Sequence, residues 1–136
     1  PLIYTSPRLK GVAYKWKINF NENSKTHAFY NTFAEHNDNE MVGFSRLTGN
    51  YHVIMLEDEM DDRRIRERMH ITKQLITKRG VDTTLVALTG SSLLSRMFSA
   101  MHLGNLTSFY LAEAYGVDPE PVVMVEDFKE KLGKKL

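Results

Sequence analysis

The amino-acid sequence predicts an α/β fold, a three-layer sandwich in which helices flank a mainly parallel sheet. Short apolar segments typical of buried strands alternate along the chain with helical patterns of roughly 12 to 20 residues. Strands joined by helical crossovers lie parallel, and the crossovers cover both faces of the sheet. The chain has 136 residues, of which 42% are hydrophobic and 26% charged, as expected for one compact domain.

The first quarter of the chain predicts a strand followed by a helix. Leu2 to Tyr4 form the strand, and Thr5-Ser6-Pro7 is a typical helix start. Apolar residues then recur at helical spacing, at Leu9, Val12, Ala13, Trp16 and Phe20. The polar residues 21–24 end this helix, and the apolar and aromatic stretch 28–33 that follows fits no single element clearly.

The rest of the chain predicts two further strands and three further helices. Tyr51 to Leu56 and Val81 to Leu88 resemble buried strands, and between them Asp61 to Arg79 carries a helical apolar stripe that ends at a glycine. A long helix runs to about Tyr115 and is apolar almost all round, which places it inside the molecule or against a partner. Val122 to Leu132 form the last helix.

Composition excludes several classes of function. The chain has no cysteine, so disulfides, thiolate metal sites and thiol nucleophiles are absent. Its net charge of +1 gives no excess positive field for nucleic acid. No apolar run approaches the roughly 20 residues of a membrane span, and we expect a cytoplasmic protein. Because the sequence starts with Pro1 and runs directly into a strand, we expect it to be a fragment of a longer chain.

No standard short catalytic motif occurs. The five histidines show no paired ligand spacing, so no metal site is expected; they are His27, His36, His52, His70 and His102. The turn Thr89-Gly90-Ser91-Ser92 precedes the long helix and is either an ordinary helix cap or a phosphate site.

Three polar features remain as candidates for chemistry. Glu22 follows a helix and lies nearly opposite its apolar stripe, as either a polar helix end or a catalytic carboxylate. The run Glu35 to Glu40 is either an exposed polar turn or an acid–base cluster. Lys129 lies on the same stripe as Val122, Val125 and Leu132, so it either extends along the surface or points into a cleft.

Four segments, taken in order, resemble a known family. They are 20–25 (FNENSK), 37–44 (NDNEMVGF), 102–112 (HLGNLTSFYLA) and 116–122 (GVDPEPV). Together they are similar to the C-terminal sugar isomerase (SIS) domain of the bifunctional phosphoglucose/phosphomannose isomerases of archaea and bacteria. The resemblance runs from about Leu2 to Leu132 and implies an SIS-type, flavodoxin-like sheet. It also implies that residues 1–136 are the C-terminal SIS domain of a chain with two such domains.

This resemblance implies a reaction. Members of the family interconvert glucose 6-phosphate or mannose 6-phosphate with fructose 6-phosphate through an enediol, without a metal or organic cofactor. The position of the base that moves the proton between C1 and C2 corresponds to Glu22, and a lysine near the substrate corresponds to Lys129. Asn39 is implied to contact the substrate.

The ring-opening residue departs from the family pattern. Relatives carry a histidine that often reaches the neighbouring subunit's site, and the aligned residue here is Asp38, while His36 stands two positions earlier. Either His36 has taken over, or Asp38 opens the ring less well because an aspartate is mostly ionised at neutral pH, or the parent has lost efficient turnover. We favour His36 slightly.

A second departure concerns the phosphate. The family holds the sugar phosphate in serine- and threonine-rich turns of the preceding SIS domain, and this chain has no such loop. We therefore expect partners in the preceding domain and in a homodimer, and no isomerase activity from this fragment alone. A non-catalytic SIS module that only binds a sugar phosphate is the alternative.

Overall fold

The computed structural model describes residues 1–133 and contains a four-stranded sheet in which every strand is parallel to its neighbours. The strands are β1 (Leu2–Thr5), β2 (Phe29–Thr32), β3 (His52–Glu57) and β4 (Asp82–Ala87). Their order across the sheet is β2-β1-β3-β4. The predicted α/β class is confirmed. The last three residues of the predicted domain, 134–136, lie outside the described part of the chain.

Five α-helices connect or follow the strands within residues 1–133. They are α1 (Lys10–Glu22), α2 (Glu35–Asp38), α3 (Arg63–Lys78), α4 (Leu93–Tyr115) and α5 (Val123–Gly133). The four long helices lie close to the predicted boundaries. The unassigned stretch 28–33 contains β2, and the polar run after it contains α2 and the start of a 3-10 segment at Glu40–Ser45.

Two hydrophobic clusters lie on opposite faces of the sheet and make the three layers. Side chains alternate along β1, so Ile3 points to one face while Leu2 and Tyr4 point to the other. The first face is covered by α1 and α4. The second face is covered by α3 and by residues from the segment between β2 and β3, which include Phe33 and Phe44.

Helix α4 buries only a narrow stripe of small or polar residues: Arg96, Ala100, Gly104, Ser108 and Ala112. The stripe includes Gly104, where a Cβ atom would lie 2.6 Å from the ring of Trp16 on α1, and the Trp16 Nε1–H donates to the Ala100 carbonyl at 2.7 Å. Close approach of the two helices therefore requires a small residue at this position.

The other apolar side chains of α4 are largely exposed, including Leu94 at 64% and Phe98 at 61%. Within residues 1–133, the expectation that this helix lies inside the molecule is wrong, and its contact with a partner stays a prediction. The α5 helix has no buried residue at all. No helix in the described part of the chain is both long and apolar enough to cross a membrane.

Candidate functional site

A crevice between the carboxyl ends of β1 and β3 is the place where ligands bind in many open parallel sheets. The chain leaves β1 toward β2 on one side, while β3 and β4 lie on the other, so the strand order reverses between β1 and β3. The side chains that follow these two strands are polar, and a ligand could bind there only if those side chains were free to receive it.

These side chains are instead bound to each other in an ion-pair network. Asp58, fully buried, lies 2.9 Å from Arg8 Nη2 and 3.1 Å from Arg96 Nε. Asp61 accepts hydrogen bonds from the Ser6 hydroxyl at 2.7 Å and from Arg8 Nη2 at 3.1 Å. The protein's own side chains therefore occupy this crevice.

The protonation of Asp58 follows from this network. Burial raises the pKa of its carboxyl group, but the Met60 backbone N–H and the two arginines lower it by more, so the net shift is downward. Asp58 is a structural anion with its oxygens fully engaged. Sequence reasoning did not identify it, although an aspartate directly after a buried strand was a usable signal.

Glu22, the predicted base, is the last residue of α1 and is exposed. Its carboxylate has no hydrogen-bond or ion-pair partner within residues 1–133, whereas its backbone carbonyl accepts from Lys25 Nζ at 2.5 Å. The neighbouring Asn23 donates to Asn105 Oδ1 at 3.2 Å and to the Ser108 hydroxyl at 2.8 Å. The helix end is therefore fixed against α4 while the carboxylate stays free.

The loop after Glu22 is also hydrogen-bonded to the connection between α4 and α5. Lys25 adopts a positive φ of 53° and its Nζ donates to the Pro119 carbonyl at 3.1 Å. The predicted base thus lies near the segment from which α5 departs. Lys129 on α5 is exposed and makes no hydrogen bond or ion pair within the described residues. Its exposure is compatible with extension along the surface, and its place in a cleft stays a prediction.

Asp38 does not lie beside Glu22 in this chain. Helix α1 runs back toward the amino ends of the strands, so Glu22 lies at that edge, while Asp38 follows the carboxyl end of β2. The length of β2 alone separates the two edges by about 10 Å. The two residues also belong to elements on opposite faces of the sheet. One domain alone therefore does not bring together the predicted base and the predicted ring-opening residue.

His36, the other ring-opening candidate, lies in the core with no exposed surface. Its ring stacks on Tyr4 with centroids 4.0 Å apart and contacts Phe33 and Phe44 edge-on. Neither ring nitrogen has a hydrogen-bond partner among residues 1–133. Burial lowers the pKa of His36, and the Glu40 carboxylate opposes part of this shift. Asp38 and Asn39 are exposed, as the interpretation of this run as an exposed turn predicts, but Asp38 belongs to α2 and His36 is buried.

The remaining residues of the polar run were not singled out from the sequence. Glu40 accepts from the Tyr4 hydroxyl at 2.7 Å and from Asn31 Nδ2 at 2.6 Å, and its backbone N–H donates to Asn39 Oδ1. Asn39 also donates from Nδ2 to Glu35. The segment that carries Asp38 is therefore hydrogen-bonded to the sheet through Glu40, and the Asp38 side chain is exposed to solvent.

The turn before α4 has partners of its own. Ser92 and Ser95 form a capping box, each side chain accepting from the other residue's backbone N–H, and Arg96 donates to the Gly90 carbonyl at 3.2 Å. These contacts match the helix-cap alternative for this turn. Within residues 1–133, no group of three or more histidine, aspartate or glutamate side chains could hold a metal ion.

A groove of about 1070 Å³ lies between the C-terminal half of α4 and the amino ends of the strands. Its apolar walls include Trp16, Phe20 and Ile54, with His27 and His52 among its polar lining residues. None of the predicted site residues lines it.

A parallel sheet covered on both faces, with a reversal of strand order at its centre, defines a doubly wound α/β domain. Residues 1–132 match the family model described as the bacterial phospho-glucose isomerase C-terminal SIS domain. The chain therefore belongs to this SIS domain family.

Curated relatives extend this finding. A bifunctional phosphoglucose/phosphomannose isomerase from Aquifex aeolicus is 36% identical over 98% of this chain, and one from Caldicellulosiruptor bescii is 39% identical over 98%. The chain spans only 42% and 41% of these relatives, respectively. The family resemblance drawn from the sequence is confirmed.

Solved structures show the same fold. A glucose-6-phosphate isomerase like protein from Thermus thermophilus superposes with a TM-score of 0.73 at 19% identity, covering 95% of this chain and 42% of that one. A glucosamine-6-phosphate deaminase from Thermotoga maritima gives 0.64 at 12% identity, covering 88% and 37%. At these identities the likeness concerns the fold alone.

Proposed function

We propose that this chain is the C-terminal half of an aldose–ketose isomerase that interconverts glucose 6-phosphate or mannose 6-phosphate with fructose 6-phosphate. The observation that carries the proposal is the match to bifunctional isomerases along nearly the whole chain. The exposed carboxylate of Glu22, which the resemblance assigns to the base, supports it. The relatives are more than twice as long as this chain, so the proposal concerns the parent protein.

In this proposal Glu22 takes the proton from C2 of the open-chain aldose and returns it to C1. The C1 oxygen gains a proton as the enediol forms, and the C2 hydroxyl loses one as the ketone forms. A carboxylate suits this step because it can accept and return a proton once it is shielded from water. Glu22 is exposed in the chain by itself, so the shielding must come from the rest of the parent protein.

Ring opening breaks the bond between C1 and the ring oxygen, as the C1 hydroxyl loses a proton and the ring oxygen gains one, and it requires a group that can reach these atoms. Both nitrogens of His36 are buried against aromatic rings, whereas Asp38 is exposed beside Asn39. This placement favours Asp38 for the ring-opening step and Asn39 for contact with the sugar, and His36 would serve only after leaving the core. Because Asp38 and Glu22 lie at opposite edges of the sheet, the complete site requires a second subunit or domain. Lys129 on the uncovered α5 would then contact the substrate from the same assembly.

The test uses the full-length parent with Glu22→Gln and, as matched control, Glu59→Gln. Glu59 is also an exposed glutamate whose carboxylate has no partner within the described residues, so its replacement removes the same charge. We expect Glu22→Gln to bind fructose 6-phosphate nearly as before and to lose at least about a hundredfold in kcat, the usual contribution of a general base. Unchanged turnover would reject Glu22 as the base.

The same experiment separates the second candidate function. The replacement of the family's histidine by Asp38 favours a non-catalytic sugar-phosphate-binding module. That function predicts binding without turnover in the unmutated parent. For the purified 136-residue chain, we expect no measurable conversion of fructose 6-phosphate, and robust conversion would contradict the composite site.

A further inference from the structure

Glu40 connects the segment after β2 to the two strands on that side of the sheet. Its Oε1 accepts from the Tyr4 hydroxyl at 2.7 Å, and its Oε2 accepts from Asn31 Nδ2 at 2.6 Å. Tyr4 and Asn31 are register partners on β1 and β2, so their side chains leave the same face of the sheet side by side. Both oxygens of one carboxylate are thus bound to neighbouring strands.

The two hydrogen bonds to the Glu40 carboxylate belong to the charge-assisted class, which is stronger than hydrogen bonds between neutral groups. An ionised carboxylate accepts hydrogen bonds more strongly than a neutral acceptor, and Tyr4 is fully buried, which limits competition from water. Burial and the Glu40 carboxylate both raise the pKa of Tyr4 far above neutrality, so its hydroxyl keeps the proton that it donates.

Asp38 lies between Glu40 and a second residue, Asn37, whose side chain is also hydrogen-bonded to the rest of the domain. Asn37 Nδ2 donates to the Thr72 hydroxyl on α3 at 2.8 Å, and the Glu40 backbone N–H bonds the Asn39 side chain. Asp38 is therefore exposed at the side chain but fixed in the backbone on both sides. The His36 ring contributes packing, and its nitrogens make no hydrogen bond in the described part of the chain. Within residues 1–133, the two hydrogen bonds of the Glu40 carboxylate are the charge-assisted contacts that join the segment around Asp38 to β1 and β2.

We infer that Glu40 is a positioning residue: through Tyr4 and Asn31 it holds Asp38 and Asn39 at the place where the sugar ring opens. The inference rests on the proposed function. Glu40 itself touches the strands and takes no proton from the substrate. Loss of its charge leaves the enediol step at Glu22 intact and lets the ring-opening segment move.

The experiment compares Glu40→Gln and Tyr4→Phe with Glu59→Gln in the full-length parent. Two quantities are measured for each variant: the rate of anomerisation of glucose 6-phosphate, which reports ring opening, and the isotope effect on kcat/KM with substrate deuterated at C2. We expect Glu40→Gln to slow anomerisation about tenfold, as for the loss of a hydrogen bond to a charged group. Slower ring opening should also reduce the C2 isotope effect toward one. Glu59→Gln should change neither quantity.

Tyr4→Phe supplies the second variant because it removes one hydroxyl and keeps the ring that stacks on His36. We expect Tyr4→Phe to slow anomerisation severalfold, which keeps the test valid if Glu40→Gln does not fold.

Anomerisation within twofold of the unmutated rate in both variants overturns the inference. So does an equal loss in anomerisation and isomerisation with an unchanged isotope effect, since that pattern indicates general structural damage. An inactive unmutated parent rejects the proposed function instead, and is distinguished from these outcomes before any variant is made.

Discussion

Two carboxylates of this domain, Asp58 and Glu22, have opposite surroundings. Asp58 is fully buried, follows β3 in the crevice where doubly wound sheets often bind ligands, and is paired with two arginines. Glu22 is exposed at the end of α1 and has no partner for its carboxylate within residues 1–133. A carboxylate whose oxygens are all engaged has none left for a substrate, so the usual ligand crevice stabilises the fold while the proposed chemistry lies at a helix end.

The same contrast holds for the two residues considered for ring opening. His36 packs among aromatic rings, and Asp38, two residues later, is exposed. Side chains that stabilise the domain and side chains available to a substrate therefore alternate within one short segment. Four variants test how complete this division of roles is.

The largest effect is expected for Asp58→Ala. The substitution leaves Arg96, whose side chain is 9% exposed, as a buried cation without its anion. Breaking a buried pair in this way costs about 3–5 kcal/mol of unfolding free energy, measurable by urea denaturation of the chain. Asp58→Asn should cost less because its amide oxygen can still accept from one arginine. A loss below about 1 kcal/mol for Asp58→Ala would show that the network does not support the fold.

The next effect concerns the contact of α1 with α4, which fixes the helix end that carries Glu22. Gly104→Ala would place a methyl group 2.6 Å from the buried Trp16 ring. We expect a net loss of about 1–2 kcal/mol, since overpacking outweighs the higher helix propensity of alanine. Gly11→Ala on α1 is the control, because a Cβ there meets nothing within 4 Å and should stabilise by up to about 1 kcal/mol. Effects of the same sign at both glycines would contradict the tight helix contact.

Much of the fold could be predicted from the sequence because its signals are local. The stripe of Val12, Trp16 and Phe20 predicts α1, and Gly80, with a φ of 84°, ends α3 as expected. Strand β2 was missed as a strand because its four residues, FYNT, are short and only partly buried. A pattern of period two needs more residues than this to stand out.

The site was less predictable because its contacts join distant parts of the chain. Nothing local to His36 indicates that it packs on Tyr4, 32 positions earlier, or that Glu40 binds the same tyrosine. The exposure of Lys129 likewise depends on how α5 is covered, which the residues of α5 do not specify. Resemblance to the family is the basis for predicting Glu22 as the base, while its separation from Asp38 required the topology of the sheet.

A smaller, pH-dependent effect is expected from His36. Burial lowers the pKa of His36 in the folded chain, so the unfolded chain, with an ordinary histidine pKa near 6.5, binds more protons. The free energy of unfolding should therefore fall as the pH drops below about 6.5, at up to about 1.4 kcal/mol per pH unit. His36→Phe should remove this dependence while keeping an aromatic ring in the core. Asp58, whose pKa is lowered, loses its contribution only in more acidic solution, below its unfolded pKa near 3.8. If the unfolding free energies of the unmutated chain and of His36→Phe depend on pH in the same way between about pH 5 and 7, a neutral buried histidine is contradicted.

The smallest effect is expected for Glu22→Gln in the chain alone, and it is the one on which the comparison depends. Because the Glu22 carboxylate is exposed and has no partner within residues 1–133, its replacement should change the unfolding free energy by no more than about 0.5 kcal/mol. Urea denaturation beside Glu59→Gln, a second exposed glutamate, gives the reference for loss of one surface charge. A loss above about 1 kcal/mol for Glu22→Gln alone would mean that the carboxylate stabilises the domain, and lost turnover in the parent would then no longer identify a base. A near-zero change means that the fold of this domain does not depend on the carboxylate, so a loss of turnover in the parent cannot be assigned to unfolding of the domain.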